Sequence, residues 1–395
     1  MTNFEQISIS IIEPTWNHRT HLPANLGVLR VVREAYPSAR INFVGGAEQI
    51  EFLKEMAPAD VLINVAFHAW TTGEDQDTLP ADVYRTYKKL RKLPAEFTAT
   101  ATRIIFSSCT ATTLAAATLL GLAPKSFAVL HGNANNLIGW RSRNPFRKAF
   151  DYQGAMKWFC KRGGTAIVLE DIIRIELGKK LPWLAPSLRC LPHPIAPEEA
   201  APILENRKLT SPIKIAFAGN ASIAKGFPEF IELAMTLHRE KPGQFEFHAF
   251  GYLPDESKSL DQSALTTKAK PCTLPRAEYV KNVSNMDYIF AWHNEKYYTM
   301  AASGVVYDAI NFLVPLVARE TGQIAEWKNQ GLAIGHTFQS IKTAATYLIN
   351  HELNQTPNEH EQLLNNLITI RSSLSVESLG NKFKVINTSM QRANP

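Results

Sequence analysis

Cysteine is scarce in this chain, and its cysteines follow no pattern of a metal site or a disulfide framework. The 395 residues include four cysteines, and none of them forms a C-x-x-C pair. Zinc sites and small disulfide-bonded domains carry closely and regularly spaced cysteines instead. We therefore expect free thiols in a reducing compartment, with the cytoplasm as the simplest location. The cysteines are Cys109, Cys160, Cys190 and Cys272.

Long hydrophobic runs are also missing. No run approaches the roughly 20 apolar residues that a helix needs to cross a bilayer. The first residues, MTNFEQISISII, have neither a charged n-region nor a cleavage site, so they predict a first strand and not a signal peptide. Hydrophobic residues make up 45% and charged residues 20%, as in a folded, soluble globular protein. The length of 395 residues exceeds what one core supports and indicates two domains.

Neither sign of charge dominates, but positive charge is concentrated in the segment Trp140–Arg162. The net charge is +6, and this segment holds seven lysines and arginines against one aspartate, interleaved with aromatic residues. Such a segment can attach to an anionic membrane surface or to nucleic acid. Alternatively, its aromatic residues pack inward and its charges form a solvated face. No nucleic-acid module accompanies it, so we expect no nucleic-acid partner and favour a membrane surface.

Short apolar runs alternate with helical segments in both halves of the chain. This alternation is typical of parallel strands that are buried on both faces. A proline-rich polar segment interrupts it at 196–212. The predicted strands are 7–12, 41–44, 60–67, 103–106, 127–130, 165–169, 188–191, then one starting at 213, 245–250, 288–291, 316–318 and 332–334. The predicted divisions are an N-terminal domain 1–197, a linker 198–212, a C-terminal domain 213–374 and a final helix 375–395.

The first segment with a chemical pattern begins the second half of the chain. An apolar run ends at Gly219, a polar loop follows, and Lys225-Gly226 opens a helix. A strand, a glycine turn, a lysine and a helix are typical of a phosphate site at the carboxyl edge of a parallel sheet. Gly219 lets a ligand approach the backbone, and Lys225 supplies charge. The spacing matches neither the P-loop nor the G-x-G-x-x-G fingerprint, and an ordinary solvated lysine is the alternative.

The second such segment is AASGVVYDAINFLVPLVA, which begins at Ala301. Ser303, Gly304 and Val305 can present backbone N–H groups at a helix N-terminus, where an anion such as a diphosphate is attracted. Asp308, about one turn further, could accept hydrogen bonds from the hydroxyls of an attached ribose. The alternative is an ordinary capped helix between two strands.

In this order, the two segments resemble the nucleotide-sugar domain of GT-B glycosyltransferases, specifically the retaining family 4. In that family the first loop reads G-R-x(4–5)-K-G, and the second segment carries an E-x7-E motif. This chain has Asn220 in place of the diphosphate-binding arginine and Met300 in place of the first acid. Asp308 takes the position of the second acid.

The resemblance implies an α/β fold with two Rossmann-like domains facing each other across a cleft, and a final helix that crosses back to the N-terminal domain. It implies sugar transfer with retention from a UDP- or GDP-sugar to a glycan or lipid-linked acceptor, in cell-surface polysaccharide or lipopolysaccharide synthesis. Two alternatives stay open. The substitutions at Asn220 and Met300 favour a non-catalytic nucleotide-sugar-binding protein, and a nucleotide-sugar epimerase shares the fold.

The resemblance also assigns roles to individual residues. His131, which follows a predicted strand and precedes Gly132, is implied to lie near the donor sugar. Lys225 is expected to join it in catalysis by stabilising the leaving diphosphate. The implied donor-binding residues are Gly219, Asn220, Lys225, Ser303, Gly304, Val305 and Asp308.

The loop after the first predicted strand, 14–25, departs from the glycine-rich version of the family. We expect it to contact the acceptor, with a solvated loop as the alternative. Its candidate residues are Trp16, His18, Arg19 and His21.

Neither candidate metal pattern in the chain is convincing. His18 and His21 lack a third ligand in the sequence, and Asp75-Gln76-Asp77 lies in a polar loop with no adjacent strand. We therefore expect no metal and no cofactor. The expected location is the cytoplasm, with peripheral attachment to the inner face of the membrane.

Overall fold

The computed structural model describes residues 7–17, 21–71, 80–139, 141–195, 209, 211–294, 300–351 and 357–393. The chain divides into two compact domains. The N-terminal domain comprises Met1–Pro194, Met300–Ala302 and Leu374–Pro395. The C-terminal domain comprises Ile195–Thr299 and Ser303–Ser373. Most of the predicted linker 198–212, namely 198–208 and 210, lies outside the described residues.

A parallel sheet forms the centre of the N-terminal domain. Its described strands pair in the order β3-β2-β1-β4-β5-β6-β7. The order reverses at β1, which pairs with β2 on one side and β4 on the other. The strands are β1 Ser8–Ile12, β2 Arg40–Gly45, β3 Val65–Ala69, β4 Arg103–Phe106, β5 Ser126–Val129, β6 Thr165–Val168 and β7 Leu188–Cys190. The helices between and after them are α1 Leu22–Ala35, α2 Ala47–Met56, α3 Pro80–Arg91, α4 Ala111–Leu119, α5 Asn135–Ile138, α6 Pro145–Phe150, α7 Tyr152–Lys161 and α8 Asp171–Lys180.

Both faces of this sheet are buried. Successive side chains of a strand point to opposite faces, and β4 illustrates this: Ile104 and Phe106 enter one apolar core, while Ile105 enters the other. A strand covered on both sides must be apolar at consecutive positions. This requirement explains why the strands appear in the sequence as short continuous apolar runs.

The C-terminal domain repeats this plan on a smaller scale. Its described strands are parallel and pair in the order β12-β11-β10-β8-β9, with the reversal between β8 and β10. The strands are β8 Ile213–Ala218, β9 Phe245–Phe250, β10 Tyr288–Ala291, β11 Leu316–Arg319 and β12 Gly335–Phe338. The helices are α9 Phe227–Glu240, α10 Arg276–Ser284, α11 Gly304–Phe312, α12 Gly322–Asn329, α13 Ile341–His351 and α14 Pro357–Ser373.

The last helix, α15 (Val376–Ala393), belongs to the N-terminal domain and packs against α1. A Cβ on Gly380 would lie 2.7 Å from Cγ of Glu34, so the two helices approach closely there. Phe383 is 1% exposed, and its ring packs edge-on against Phe127 with centroids 5.6 Å apart. One face of α15 therefore completes a core of this domain. Its buried side chains include Leu379, Phe383, Ile386 and Met390.

The predicted α/β class, with a parallel sheet in each half of the chain, is confirmed, but two predicted strands are wrong in part. Residues 60–64 form a turn that ends at Asn64 with φ +54°, so β3 begins only at Val65. Residues 332–334 are not a strand, because the N–H of Leu332 bonds to the carbonyl of Trp327 and closes α12. Both errors arose where apolar residues lie in a turn or directly after one.

Replacing Phe383 with alanine tests the contribution of α15 to the N-terminal core. Truncation of a buried phenylalanine leaves a cavity and costs about 3–5 kcal/mol. We expect the free energy of unfolding of the N-terminal domain to fall by this amount in urea titrations followed by circular dichroism. Val385→Ala is the matched control, since Val385 is 70% exposed on the same helix. An equal, small effect of both changes would contradict a structural role for this face of α15.

Candidate functional site

The reversal of strand order marks the expected ligand position in each sheet. In open parallel sheets, the loops at the carboxyl ends of the two strands beside a reversal diverge and leave a crevice. In the C-terminal domain these strands are β8 and β10. The loop after β8 carries Gly219 and Lys225, and the chain after β10 leads to Ser303. The residues predicted from two separate segments therefore follow neighbouring strands.

Gly219 brings these elements into contact. It has φ +88°, a left-handed conformation that favours glycine. A Cβ built there would lie 3.5 Å from Cγ2 of Val305 and 3.7 Å from Nζ of Lys225. Lys225 and the first turn of α11 thus lie on the same side of the Gly219 backbone. Gly251 permits this arrangement, because a Cβ on it would lie 1.5 Å from the carbonyl oxygen of Gly219.

The Lys225 loop is fixed by its contact with the chain after β10. Gly226 has φ +84°, and a Cβ there would lie 2.3 Å from the carbonyl oxygen of Trp292. The N–H of Asn294 also donates to the carbonyl of Ala224 at 3.1 Å. The two backbones are thereby held together on either side of Lys225.

Lys225 is a partly buried cation. Burial lowers the pKa of its ammonium group, while the charge of Asp308 acts in the opposite direction. In the described part of the chain, no carboxylate lies within ion-pair distance of Lys225. The carboxylate of Asp308 is paired with Arg276. The site therefore has a positive charge that an anionic ligand could neutralise.

The N-terminus of α11 adds backbone donors. Ser303 is the N-cap residue, and its carbonyl accepts from the N–H groups of Val306 at 3.0 Å and Tyr307 at 3.3 Å. The N–H groups of Gly304 and Val305 have no hydrogen-bond partner among the described residues. A Cβ on Gly304 would meet no atom within 4 Å. The first turn of α11 can therefore receive an anion.

Asp308 is already held by two side chains of α10. Nη2 of Arg276 donates to its Oδ1 at 3.2 Å, and the hydroxyl of Tyr279 donates to its Oδ2 at 2.7 Å. A carboxylate can accept about four hydrogen bonds, so these two bonds do not by themselves saturate Asp308. Arg276 and Tyr279 had no local signal in the sequence, because α10 lies far from both predicted segments.

His293 was also missed, although it follows a predicted strand as His131 does. It is 5% exposed, and its Nε2 lies 3.2 Å from Oγ of Ser303. Burial, and then the charge of Lys225, lowers the pKa of His293 to about 4. Applying the rule of a polar residue at a strand end to β10 would have found it.

Two residues that depart from the family pattern have different surroundings. Asn220 is exposed, and its carbonyl accepts from the N–H of Ser222 at 2.9 Å. Met300 is 1% exposed and packs in an apolar core of the N-terminal domain. The position of the missing acid is therefore occupied by a core residue.

In the N-terminal domain, Glu13 follows β1 at the reversal of strand order and is fully buried. Burial alone would raise the pKa of its carboxyl group, but hydrogen bonds and the charge of His21 outweigh that effect and lower the pKa. Its carboxylate is therefore ionised and acts as an acceptor. The donors are the N–H groups of Thr15 and Trp16 and the side chains of His21, Asn25, Ser107 and Ser108.

Glu13 orders the described part of the predicted acceptor loop. Nδ1 of His21 lies 3.2 Å from Oε2 of Glu13, so Nδ1 carries the proton and donates it to the carboxylate. The His21 ring stacks on Trp16 at 5.2 Å and contacts the His131 ring at 4.5 Å. The structure thus brings Trp16, His21 and His131 together, whereas His18 and Arg19 lie outside the described residues.

His131 lies two residues beyond the end of β5. Burial, followed by the neighbouring His21 and His193, lowers its pKa to about 3. The imidazole is therefore neutral at physiological pH, and it can hydrogen-bond to a ligand without carrying charge.

In the basic segment, the described aromatic side chains pack inward, which is the alternative that the sequence left open. Phe159 is fully buried and Trp158 packs against the same core, because α7 turns its apolar face to that core. Phe150, the last residue of α6, also packs against it. Trp140 lies outside the described residues. Asp151 caps α7 at Gly154 and binds Arg141. What remains at the surface is a set of cations: Arg143, Arg147, Lys148, Lys157, Lys161 and Arg162.

The ranges that the structure describes also bear on metal binding and on membrane spanning. In them, no group of three or more His, Cys, Asp or Glu side chains is arranged to hold a metal ion, and Asp75-Gln76-Asp77 lies outside them. Within the same ranges, none of the helices is long and apolar enough to cross a bilayer.

The two parallel-sheet domains define the GT-B fold of glycosyltransferases, and solved structures share it. A glycosyltransferase from Rickettsia africae has a TM-score of 0.66 at 10% identity, covering 99% of this chain and 100% of that one. HepE from Anabaena, in complex with UDP and glucose, has a TM-score of 0.62 at 13% identity, covering 97% and 100%. WaaG, a glycosyltransferase of lipopolysaccharide biosynthesis, has a TM-score of 0.60 at 12% identity, covering 97% and 100%.

No protein-family model matches the chain, and no curated protein matches it in sequence. The likeness to known proteins is therefore one of fold. The predicted GT-B fold class is confirmed, while membership of family 4 stays a prediction.

Replacing Glu13 with glutamine tests its role in ordering the acceptor loop. Because the folded-state pKa of Glu13 lies below its ordinary value of 4.5, its stabilisation is present above that pH and is lost as pH falls through the lowered pKa. We expect E13Q to lose about 1–3 kcal/mol of unfolding free energy at pH 7, and less at low pH, in urea titrations at several pH values. Glu51→Gln, at a side chain 74% exposed, is the control. A constant difference at all pH values would argue against an ionised Glu13.

Proposed function

We propose that this chain is a glycosyltransferase that moves a sugar from a nucleotide-sugar donor to a glycan or lipid-linked acceptor. The observation that carries the proposal is the meeting of Lys225, the α11 N-terminus and Asp308 at the strand-order reversal of the C-terminal domain. A half-buried cation beside free backbone donors suits a diphosphate. A carboxylate one helical turn away suits the ribose that the diphosphate carries.

In the proposed reaction, the bond between the sugar and the diphosphate breaks, and negative charge develops on the leaving diphosphate. Preorganised donors that face this charge lower the barrier. Lys225 supplies one positive charge, and the N–H groups of Gly304 and Val305 supply hydrogen bonds along the dipole of α11. The Gly219 backbone leaves room for the phosphates, and Ser303 and Asn220 border them. No metal is required in this scheme.

Asp308 accepts hydrogen bonds from the ribose hydroxyls in our proposal. Arg276 and Tyr279 hold its two oxygens in place, so its orientation is set before the nucleotide arrives. A UDP- or GDP-sugar is the donor class that we propose. The complex of the similarly folded HepE with UDP and glucose supports a uridine nucleotide as the first candidate.

We assign the N-terminal residues to the sugar and the acceptor. His131, as a neutral imidazole, hydrogen-bonds to the transferred sugar. Trp16 and His21 contact the acceptor, and His18 and Arg19 of the same loop join them. The resemblance to family 4 supports transfer of a hexose with retention at the anomeric carbon.

The exposed cations of α6, α7 and their flanks support an acceptor at a membrane surface. Because the described aromatic side chains of this segment pack inward, we propose an electrostatic contact with anionic lipid headgroups and not an inserted helix. A lipid-linked acceptor fits this location on the cytoplasmic face of the membrane. Cell-surface polysaccharide or lipopolysaccharide synthesis is the proposed process.

A second function is a nucleotide-sugar-binding protein without transferase activity. It is favoured by Met300, which is buried in an apolar core where the family has an acid. A thermal-shift screen with nucleoside diphosphates and then nucleotide sugars identifies the ligand. Incubation of the purified chain with that nucleotide sugar then separates the two functions, because only an enzyme releases the nucleoside diphosphate.

Replacing Lys225 with alanine should lower turnover by at least about 100-fold, because one preorganised charge is lost opposite the leaving group. The measurement is release of nucleoside diphosphate from the donor found in the screen. Lys268→Ala is the control, since Lys268 is exposed in the same domain. Turnover of K225A close to that of the control would remove Lys225 from the mechanism.

Charge reversal in the basic segment tests the membrane contact. We expect the wild type to float with vesicles that contain phosphatidylglycerol, and to be released by high salt, because each lysine or arginine contributes about 1 kcal/mol. Arg147→Glu combined with Lys148→Glu should weaken binding at least about tenfold. The matched control is Arg91→Glu with Lys92→Glu, an exposed pair elsewhere in the same domain. Absence of wild-type flotation would contradict the membrane contact.

A further inference from the structure

His293 lies close to both groups that we assign to the diphosphate. Its Nε2 is 3.2 Å from Oγ of Ser303, the N-cap of α11. Burial is the main cause that lowers the pKa of the His293 imidazole to about 4, and the charge of Lys225 is the second cause. The histidine is therefore buried close to both the lysine and the helix N-terminus, and it is neutral in the structure.

The backbone fixes this position from both sides. The carbonyl of Trp292 packs against Gly226, where a Cβ would lie at 2.3 Å. The N–H of Asn294 donates to the carbonyl of Ala224 at 3.1 Å. Since both neighbours of His293 are held against the Lys225 loop, the backbone of His293 cannot move away from this loop without breaking these contacts.

The charges around the site change when a diphosphate enters. In the structure, the charge of Lys225 disfavours protonation of His293, and the carboxylate of Asp308 accepts from Arg276 and Tyr279. A nucleoside diphosphate brings at least two negative charges next to Lys225. A nearby anion favours the protonated form of a histidine.

We propose that His293 is a second cationic group of the diphosphate site, which takes up a proton from solvent when a nucleoside diphosphate binds. This inference rests on the proposed function of the same site. Ser303 suits both protonation states, because a hydroxyl can donate or accept. It donates to Nε2 of the neutral ring, and after rotation it accepts from the N–H of the imidazolium.

Proton uptake makes nucleotide binding depend on pH in a defined direction. The pKa of His293 is about 4 in the structure, and in our proposal it rises when the anion binds. Between these two pKa values the complex holds one more proton than the separated partners. The affinity therefore falls as pH rises in this window, by up to about tenfold per pH unit.

Isothermal titration calorimetry with UDP and GDP tests the inference on the full chain. Titrations at pH 6, 7 and 8, in buffers of different ionisation enthalpy, give the number of protons taken up on binding. We expect the wild type to take up more protons than His293→Gln, and the variant to bind about tenfold more weakly at pH 6. The ligand's own titration is the same in both proteins and cancels in the comparison. His248→Gln, at a half-buried histidine on β9, is the matched control and should behave as the wild type.

The outcomes separate the inference from the function on which it rests. Equal proton uptake and equal affinity in the wild type and H293Q would overturn the role of His293 and leave the donor site intact. If neither nucleotide binds the wild type at any of these pH values, the proposed function fails together with the inference. Should H293Q not fold, nitrogen-15 spectra of the wild-type histidines decide the question, because they distinguish imidazole from imidazolium. An imidazolium signal that appears with UDP supports the proposal, and its absence overturns it.

Discussion

The close approach of two loops in the C-terminal domain determines where its charges lie. A glycine at position 226 is required, because any side chain there would collide with the carbonyl of Trp292. That contact, with the hydrogen bond from Asn294 to Ala224, sets Lys225 and His293 beside one another. A similar restriction at Gly251 keeps the Gly219 turn in place. The electrostatics of the site are therefore a consequence of backbone packing.

The buried charges of the two domains differ in whether the protein itself supplies their partners. Glu13 in the N-terminal domain receives hydrogen bonds from its own chain, so its charge is satisfied before any ligand arrives. Its role is to order a loop. Lys225 in the C-terminal domain has no ion-pair partner among the described residues, and the N–H groups of Gly304 and Val305 at the α11 N-terminus have no hydrogen-bond partner among them. A site whose charge is left uncompensated favours an anionic ligand, whereas a compensated one favours rigidity.

The sequence was sufficient to predict features that depend on residues close together along the chain. The β9 and β10 boundaries were predicted as observed, and the two segments that carry Lys225, Ser303 and Asp308 follow the neighbouring strands β8 and β10. It was insufficient where a role depends on packing between distant segments. Arg276 and Tyr279 bind Asp308 from another helix. The carboxylate of Glu13 accepts hydrogen bonds from Ser107 and Ser108, which are distant in sequence. The aromatic side chains of α7 are buried because of the way this helix packs. The two misplaced strands show that apolar residues next to a turn can be mistaken for a β-strand.

The position of α15 has a consequence for the order of events during synthesis. Its apolar side chains fill a core whose other members come from the first part of the chain, such as Leu29 and Phe127. A domain usually begins to fold while the ribosome is still elongating the polypeptide. In this chain, residues 376–393 emerge only after the whole C-terminal domain has been made. Until then, the face of α1 that α15 covers would stay exposed. A nascent chain of this length is a natural client for a chaperone that shields apolar surface.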